Sequence, residues 1–403
     1  MYSRQLFLVL TLFLSSLTHV YSQISVDELS GKTNNPVQTA VPFLTIAPDS
    51  RGGAMGDLGA ATSPDVNSMH WNPAKFAFIE DDMGVAFSYT PWLRNLVGDI
   101  DLAYLTGYKK IDKQQTIAAS LLYFALGDIQ FTDREGEYIK TAKPNEFSID
   151  VAYARKFGEK FSGGLAFRYI HSDLSNGMSV GGTATSAGNA FAADISAYYN
   201  TPIRISEYNS KLAFGIDISN IGNKITYNKS EMNKDFLPMN FRLGGALTMD
   251  INEYNSFTFG ADINKLLVPS TPVTRNDSVI YGKDPDVPVV VAIFQSFWDA
   301  PGVPGSDGKR SVLKEELREF TYSLGVEYWY RKQFAIRAGY FHEAETKGNR
   351  KYFSVGLGLR MNVIGFDFSY LVPQNANNPL ANTLRFTLSL GFDALKRQKN
   401  TIN

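Results

Sequence analysis

A strictly alternating stretch decides the fold: residues 319–330 read EFTYSLGVEYWY. Apolar or aromatic side chains occupy every second position from Phe320 to Tyr330, and the positions after Phe320 that lie between them hold Thr, Ser, Gly, Glu and Trp. Because a period of two places the two sets on opposite faces of a β-strand, one face is large and apolar and the other is mostly polar. This combination is typical of a strand in a membrane barrel, with lipid outside and a polar interior.

The same alternation recurs along most of the chain, and we count about fourteen segments that carry it. An even number of such segments predicts an all-β fold, a membrane-spanning antiparallel β-barrel over residues 83–392. The predicted strands are Met83–Thr90, Ile100–Lys109, Gln115–Leu126, Glu146–Lys156, Phe161–His171, Asn189–Tyr199, Lys211–Ser219, Pro238–Thr248, Asn255–Asn264, Glu319–Tyr330, Phe334–Phe341, Arg350–Met361, Val363–Tyr370 and Asn382–Phe392.

The connections between these segments alternate between tight and long. Tight links include Arg331–Gln333 and a near-absent link at Asn362, and long links include Gly127–Asn145 and, above all, Lys265–Arg318. Short turns on one side and long loops on the other are the arrangement of outer-membrane barrels, which places the long loops outside the cell. One link on the periplasmic side, Asn200–Ser210, is predicted to be longer than the others.

Charged side chains fall on the predicted inner face of the strands. Inside a lumen they can be hydrated or paired, whereas a basic side chain facing lipid at the midplane would cost about 2–4 kcal/mol. The pattern predicts a salt-bridge network that braces the barrel, and a charge ladder that conducts a substrate is the alternative. The inward-facing charges are Asp150, Arg168, Asp194, Asp217, Arg242, Asp262, Glu327, Arg337, Arg360, Asp367 and Arg385.

Residues 1–22 have the features of a cleaved signal peptide. Arg4 supplies the positive start, Leu6–Leu17 forms an apolar run too short to span a bilayer, and Val20-Tyr21-Ser22 offers a cleavage site. We therefore expect export to the cell outer membrane and a mature chain that begins at Gln23; an uncleaved anchor helix is the alternative. Residues 393–403 are expected to form a short periplasmic tail.

Composition and charge exclude several classes of function. The chain has 39 Lys and Arg against 40 Asp and Glu, a formal net charge of -1, so no basic face for nucleic acid is expected. It has no Cys, which excludes thiolate chemistry. His70, His171 and His342 form no zinc-binding spacing, and no G-x-S-x-G elbow is present. We expect no enzymatic activity and no cofactor.

Residues 23–82 precede the first predicted strand and are interpreted as an N-terminal extension and plug. Gly52-Gly53-x-x-Gly56-x-x-Gly59 lacks the strand–turn–helix context of a dinucleotide loop, so its glycines favour a tightly turned backbone. We expect Phe43 to about Phe78 to fold into the barrel, and a disordered periplasmic tail is the alternative. The plug motif comprises Pro48, Asp49, Ser50, Arg51, Trp71, Asn72, Pro73 and Ala74.

This motif carries a resemblance to known families. The small-residue stretch that ends in Asn72-Pro73-Ala74 resembles the N-terminal plug of the FadL-type outer-membrane transporters. The fuller strings, IAPDSR at 46–51 and HWNPAK at 70–75, resemble the PorV family, the barrel components of the type IX secretion system. The resemblance covers essentially the whole mature chain. It implies a FadL-like barrel of about fourteen strands with an N-terminal plug.

The resemblance implies a non-enzymatic role in protein secretion. Proteins of this family accompany the SprA-type translocon in outer-membrane lipid, receive cargo through its C-terminal signal domain, and pass it to the attachment complex built around the PorU-type sortase. A FadL-like transporter of hydrophobic solutes is the alternative function. It would have a continuous apolar tunnel past its plug, which the charged interior disfavours.

The long external loop, residues 265–318, holds the candidate partner-binding residues. Its apolar run from Val289 through Trp298 cannot remain bare on the water side, so it must pack on something. It either folds over the barrel mouth as a lid or inserts aromatic anchors into a partner, and Ser311–Glu319 is predicted to be a short charged helix. The candidate anchors are Ile293, Phe294, Phe297 and Trp298.

Overall fold

The computed structural model describes residues 34–94, 97–133, 135–177, 179–180, 183–228, 234–276, 278–305, 309–374, 380 and 382–392. The predicted signal peptide and the predicted periplasmic tail lie outside these residues. The compact unit of the chain begins at Pro36.

Fourteen strands form one closed barrel, in which each strand pairs antiparallel with its neighbours and the last pairs with the first. The predicted fold class is confirmed. The strands are β1 (Met83–Pro91), β2 (Asp101–Lys110), β3 (Gln115–Ala125), β4 (Asn145–Lys156), β5 (Phe161–Asp173), β6 (Gly188–Ile205), β7 (Tyr208–Gly222), β8 (Asn240–Asp250), β9 (Asn255–Leu266), β10 (Thr321–Tyr330), β11 (Phe334–His342), β12 (Lys351–Met361), β13 (Ile364–Pro373) and β14 (Leu384–Gly391).

The links have the predicted asymmetry. Those at one end of the barrel are no longer than four residues, and those at the other end are longer, the longest being the segment between β9 and β10. The predicted long link at Asn200–Ser210 is wrong, because β6 and β7 continue to a two-residue turn at Ser206-Glu207. The tight ends therefore all lie on one side, which we take as the periplasmic side.

Outward and inward faces differ as the alternation predicts. Leu357 and Leu388 point outward and are 48% and 46% exposed, as befits side chains in lipid. Ten of the eleven predicted inward charges are buried, and Arg360 is half-buried. The outer face is therefore apolar, and the inner face holds the charges.

Short helices and hairpins lie before β1 and in the longer links between strands. The helices are α1 (Ser50–Ala54), α2 (Ser68–Trp71), α3 (Val289–Gln295) and α4 (Val312–Arg318), and 3₁₀ turns cover Pro42–Thr45, Pro73–Phe78 and Glu345–Lys347. Small hairpins pair Ile129–Thr132 with Tyr138–Ala142, Ser179–Val180 with Thr183–Ala184, Val273–Arg275 with Ser278–Tyr281, and Val303–Pro304 with Arg310–Ser311. In the described part of the chain, every helix is too short or too polar to cross a membrane.

Candidate functional site

Residues 36–82, which precede β1, lie inside the barrel, and we call them the inner segment. Its backbone and side chains contact inward-facing groups on both walls, as when Ser50 N–H donates to Thr387 Oγ1 at 2.9 Å and Ser162 Oγ donates to the Ala74 carbonyl at 2.7 Å. Asp49 caps α1 by accepting from Gly52 N–H at 2.8 Å. The segment is thus fixed to the barrel by hydrogen bonds as well as by packing.

The two halves of the sequence motif meet. Trp71 Nε1 donates to Asp49 Oδ1 at 2.6 Å, and the indole ring covers Gly52 and Gly59, where a Cβ atom would fall within 2.7 Å of ring atoms. Glycine is needed at both positions because the ring occupies the space of a side chain. All eight motif residues are buried. The strings that are about twenty residues apart in sequence therefore form one packed unit.

A buried charge network joins the inner segment to the wall. Arg51 donates to both oxygens of Glu327, at 2.9 and 2.7 Å, and also to Asp65 at 2.8 Å. The same Glu327 accepts from Arg337 at 2.7 Å. Arg337 continues to Asp367 at 2.8 Å. The predicted bracing network is present, and a cation of the inner segment is at its centre.

Asp367 extends the same network to a fourth strand residue, since it also accepts from Arg360 at 2.6 Å. A second cluster lies across the lumen, where Arg168 bonds Asp150 and Asp194. Buried ions need such partners, because an unpaired charge in a dry interior costs several kcal/mol. The buried ion pairs thus link different strands of the barrel to one another.

Wall side chains also satisfy the inner segment's backbone. Asp262 Oδ2 accepts from Gly59 N–H at 2.8 Å and Ala60 N–H at 2.9 Å. Asn72 Nδ2 donates to the Ala60 and Ala197 carbonyls, both at 3.0 Å. Irregular backbone buried at membrane depth needs partners of this kind. Sequence reasoning assigned Asp262 to the lumen but did not pair it with the inner segment.

A row of inward glycines receives the inner segment, and we call it the glycine track. Its members face residues 54–60 from six consecutive strands, β7 to β12. A Cβ on Gly325 would lie 2.6 Å from the Met55 carbonyl oxygen, and one on Gly260 would lie 3.0 Å from Leu58 Cδ2. Backbone therefore packs directly on backbone. The track consists of Gly215, Gly244, Gly260, Gly325, Gly339 and Gly356.

Two chambers lie on either side of this packed layer. The outward chamber, of about 310 Å³, is lined by groups that include Leu44, Arg242 and Lys265. The periplasmic chamber, of about 500 Å³, is lined by groups that include Arg51 and Trp329. Among the described residues, none lines both chambers. The interior is thus divided at the level of Asp49 to Ala60, and both chambers carry charged groups.

The longest link forms a second candidate site outside the barrel, and we call residues 267–320 the external lobe. Lys265 at the end of β9 binds Glu316 at 3.1 Å and Glu319 at 2.6 Å. Lys347 binds Glu315 and Glu319, both at 2.9 Å. The short charged helix predicted over Ser311–Glu319 is present as α4, Val312–Arg318, which carries or adjoins these carboxylates. The ions hold the lobe on the barrel mouth.

Burial changes the pKa of two carboxyl groups where the external lobe is held on the barrel mouth. Burial raises the pKa of Asp299 to about 6, and the carboxylates of Glu316 and Glu319 add to the rise. For Glu319, burial also raises the pKa, but the ammoniums of Lys265 and Lys347 outweigh it and hold the pKa below its usual value. Glu319 is thus kept charged between its two lysines.

The predicted partner-binding residues divide into two sets. Ile293 is half-buried and packs on a cluster that includes Met239, Leu267 and Ala292, as expected for a lid residue rather than a partner anchor. Phe294, Phe297 and Trp298 are 62%, 40% and 54% exposed. Sequence reasoning missed Leu313 and Leu317, exposed on α4 at 71% and 54%. Their i, i+4 spacing in the predicted helix was the available signal.

No group of residues suited to a metal ion was found in the described ranges. The chemistry present is apolar contact, ion pairing and backbone hydrogen bonding. Such groups can hold or dock another molecule.

A closed antiparallel barrel with an apolar outer face and a charged inner face defines an outer-membrane β-barrel protein. The particular family follows from its sequence: the chain belongs to the PorV family, because the family model described as type IX secretion system protein PorV matches residues 29–273. The suspected membership is confirmed, and the chain is an outer-membrane component of type IX secretion. No curated protein matches the chain.

Several solved structures are similar to this chain at low identity. The CymD monoaromatic hydrocarbon channel is 13% identical with a TM-score of 0.44, over 86% of this chain and 97% of that one. A Pseudomonas aeruginosa FadL homologue is 12% identical with a TM-score of 0.44, over 89% and 100%. The Pseudomonas putida toluene transporter TodX is 8% identical with a TM-score of 0.45, over 84% and 95%.

Proposed function

We propose that this protein docks the SprA-type translocon in the outer membrane, receives cargo through its C-terminal signal domain, and passes it to the PorU-type attachment complex. The observation that carries the proposal is the external lobe, which presents exposed Phe294 and Trp298 on a base fixed by buried ion pairs. Rigid, exposed aromatic anchors are the groups that dominate interface energetics. Membership of the PorV family supplies the secretion context.

The inner segment serves this role as a plug. A docking barrel has to keep the outer membrane sealed, and the glycine track and the Arg51–Glu327 pair support a plug that stays in place. Transport of hydrophobic solutes, the alternative function, needs a continuous apolar path. The charged, divided interior speaks against that path.

The test replaces the two exposed aromatics by aspartate, as Phe294→Asp with Trp298→Asp. Assembly is measured by heat-modifiable migration, docking by translocon co-purification from native outer membranes, and secretion by cargo display at the surface. We expect a normal barrel, at least a tenfold loss of translocon and a matching loss of display, because anchor residues contribute about 2 kcal/mol or more each.

The matched control places the same charge on another exposed loop, as Tyr138→Asp with Ile139→Asp. These side chains are 62% and 49% exposed on the hairpin between β3 and β4. We expect this variant to dock and display like the wild type. Wild-type secretion by the Phe294 and Trp298 variant would end the proposal.

A further inference from the structure

The lipid-facing wall of the barrel has an indentation of about 640 Å³ across β8 to β11. Its floor consists of the outward-facing Gly245, Ala261 and Ala338. Larger apolar side chains, among them Phe259 and Phe353, form its rim, and none of the lining residues is charged. Large side chains such as Phe167 and Phe191, which are 68% and 67% exposed, cover other parts of the outer face.

The barrel wall in this sector is thin, and the inner segment packs directly behind it. Strand residues Gly260 and Gly325, which alternate with the outward floor, belong to the glycine track and rest on Leu58 and Met55 of the inner segment. The wall therefore consists of little more than backbone here, with a packed segment directly behind it. A backed wall keeps its shape, so the indentation is preorganised for a partner.

The indentation also lies beneath the external lobe. Strands β9 and β10 form its centre, with Ala261 paired to Leu324, and the lobe is the link between these two strands. The lobe that carries Phe294 and Trp298 is therefore attached to the same two strands that form the centre of the indentation.

We propose that the indentation is the intramembrane half of the docking surface, and that it receives bulky apolar side chains from the membrane-spanning wall of the partner translocon. Lipid tails are as apolar as any side chain, so burial from lipid gives no hydrophobic gain. Association inside a bilayer depends on close packing, and small residues favour it by letting backbones approach. A convex partner wall fits this floor, whereas a mobile acyl chain gains little there. The inference rests on the proposed docking function and names its second contact.

The experiment fills the floor without adding charge, as Ala261→Leu with Ala338→Leu. The control is Ala119→Leu, which faces lipid on β3, on the opposite side of the barrel. Each variant is checked for heat-modifiable assembly and is then purified from native outer membranes, with translocon recovery and bound lipid measured. We expect the filled variant to assemble but recover about tenfold less translocon, and Ala119→Leu to recover the wild-type amount.

The lobe variant Phe294→Asp with Trp298→Asp is measured in parallel. If it loses the translocon while the filled variant keeps it, the indentation is not a contact and only the present inference fails. If the filled variant loses a co-purifying lipid but keeps the translocon, the indentation is a lipid site and the inference is overturned. If the lobe variant keeps the translocon, the docking function itself fails, and this inference falls with it.

Discussion

The glycine track leaves no space for a side chain between the barrel wall and the inner segment, and Gly325→Ala tests this close packing. A Cβ at this position would lie 2.6 Å from the Met55 carbonyl oxygen and 2.8 Å from Met55 Cβ, whereas ordinary contacts begin at 3.4 Å. The inner segment must therefore retreat by about 0.8 Å, against a wall that continues on five further strands. Overpacking of this kind costs about 1–3 kcal/mol.

The retreat also endangers nearby hydrogen bonds. Gly56 N–H donates to Ser354 Oγ on β12 at 2.9 Å, and Ser323 Oγ, on the same strand as Gly325, donates to the Asp57 carbonyl at 3.2 Å. Losing one such buried bond adds about 1–3 kcal/mol. We therefore expect the inner segment of Gly325→Ala to be less stable by about 2–6 kcal/mol in all.

The assay is limited trypsin digestion of the purified barrel, with cleavage at Arg51 and Lys75 followed by mass spectrometry. Both side chains are buried, so cleavage reports release of the inner segment. The control, Gly245→Ala, adds the same methyl group on the lipid side of β8, where the nearest atom lies at 3.6 Å. Equal protection of Arg51 in both variants would refute the close-packed track.

Three further predictions concern charge. Arg51→Met should destabilise the barrel by about 3–5 kcal/mol in chemical denaturation, because it removes a partner of buried Glu327, whereas the exposed Arg275→Met should change stability by no more than about 0.5 kcal/mol. Leu388→Arg should impair assembly, at a cost of about 2–4 kcal/mol, while Ser389→Arg, which borders the periplasmic chamber, should assemble; equal damage would contradict the facing assignment. The hydrogen-exchange protection of the external lobe, relative to the intrinsic exchange rate at each pH, should fall as pH rises from about 4 to about 6 and should not do so in Asp299→Asn, because the raised pKa of Asp299 favours the folded lobe only while the carboxyl is protonated. A pH response that Asp299→Asn retains would assign the effect to another group.

The strands could be predicted from the sequence because lipid enforces alternation. In the stretch that ends at Tyr330, every outward side chain must be apolar, so the register is visible without a structure. Beyond the bilayer this constraint ends. Thr201 to Ile205 carry no clear pattern, yet β6 continues there to pair with β7. Pro202 is tolerated because β5 stops opposite Tyr199, so this part of β6 has a free edge.

The interior could be predicted only in part. Alternation assigned Glu327 and Arg337 to the lumen, but pairing Arg51 with Glu327 requires knowing where the inner segment runs. The glycine track had a signal, since Gly244, Gly325 and Gly356 each occupy an inward position in the middle of a predicted strand. Sequence alone could not separate them from the other glycines, because the track exists only once residues 54–60 lie against it.

The cost of displacing the inner segment bears on the choice between the two functions. Opening a path through the layer would release the bonds that Asp262, Thr387 and Ser354 make to it and the bond from Asn72 to the Ala197 carbonyl, in addition to the Arg51–Glu327 pair. With each buried bond worth about 1–3 kcal/mol when left unmade, and the ion pair about 3–5 kcal/mol, the total reaches the stability of a typical folded domain. A solute of ordinary affinity could not supply that free energy at each passage. Docking on the external lobe leaves these bonds intact, so the structure is suited to hold a partner at its surface while the lumen stays closed.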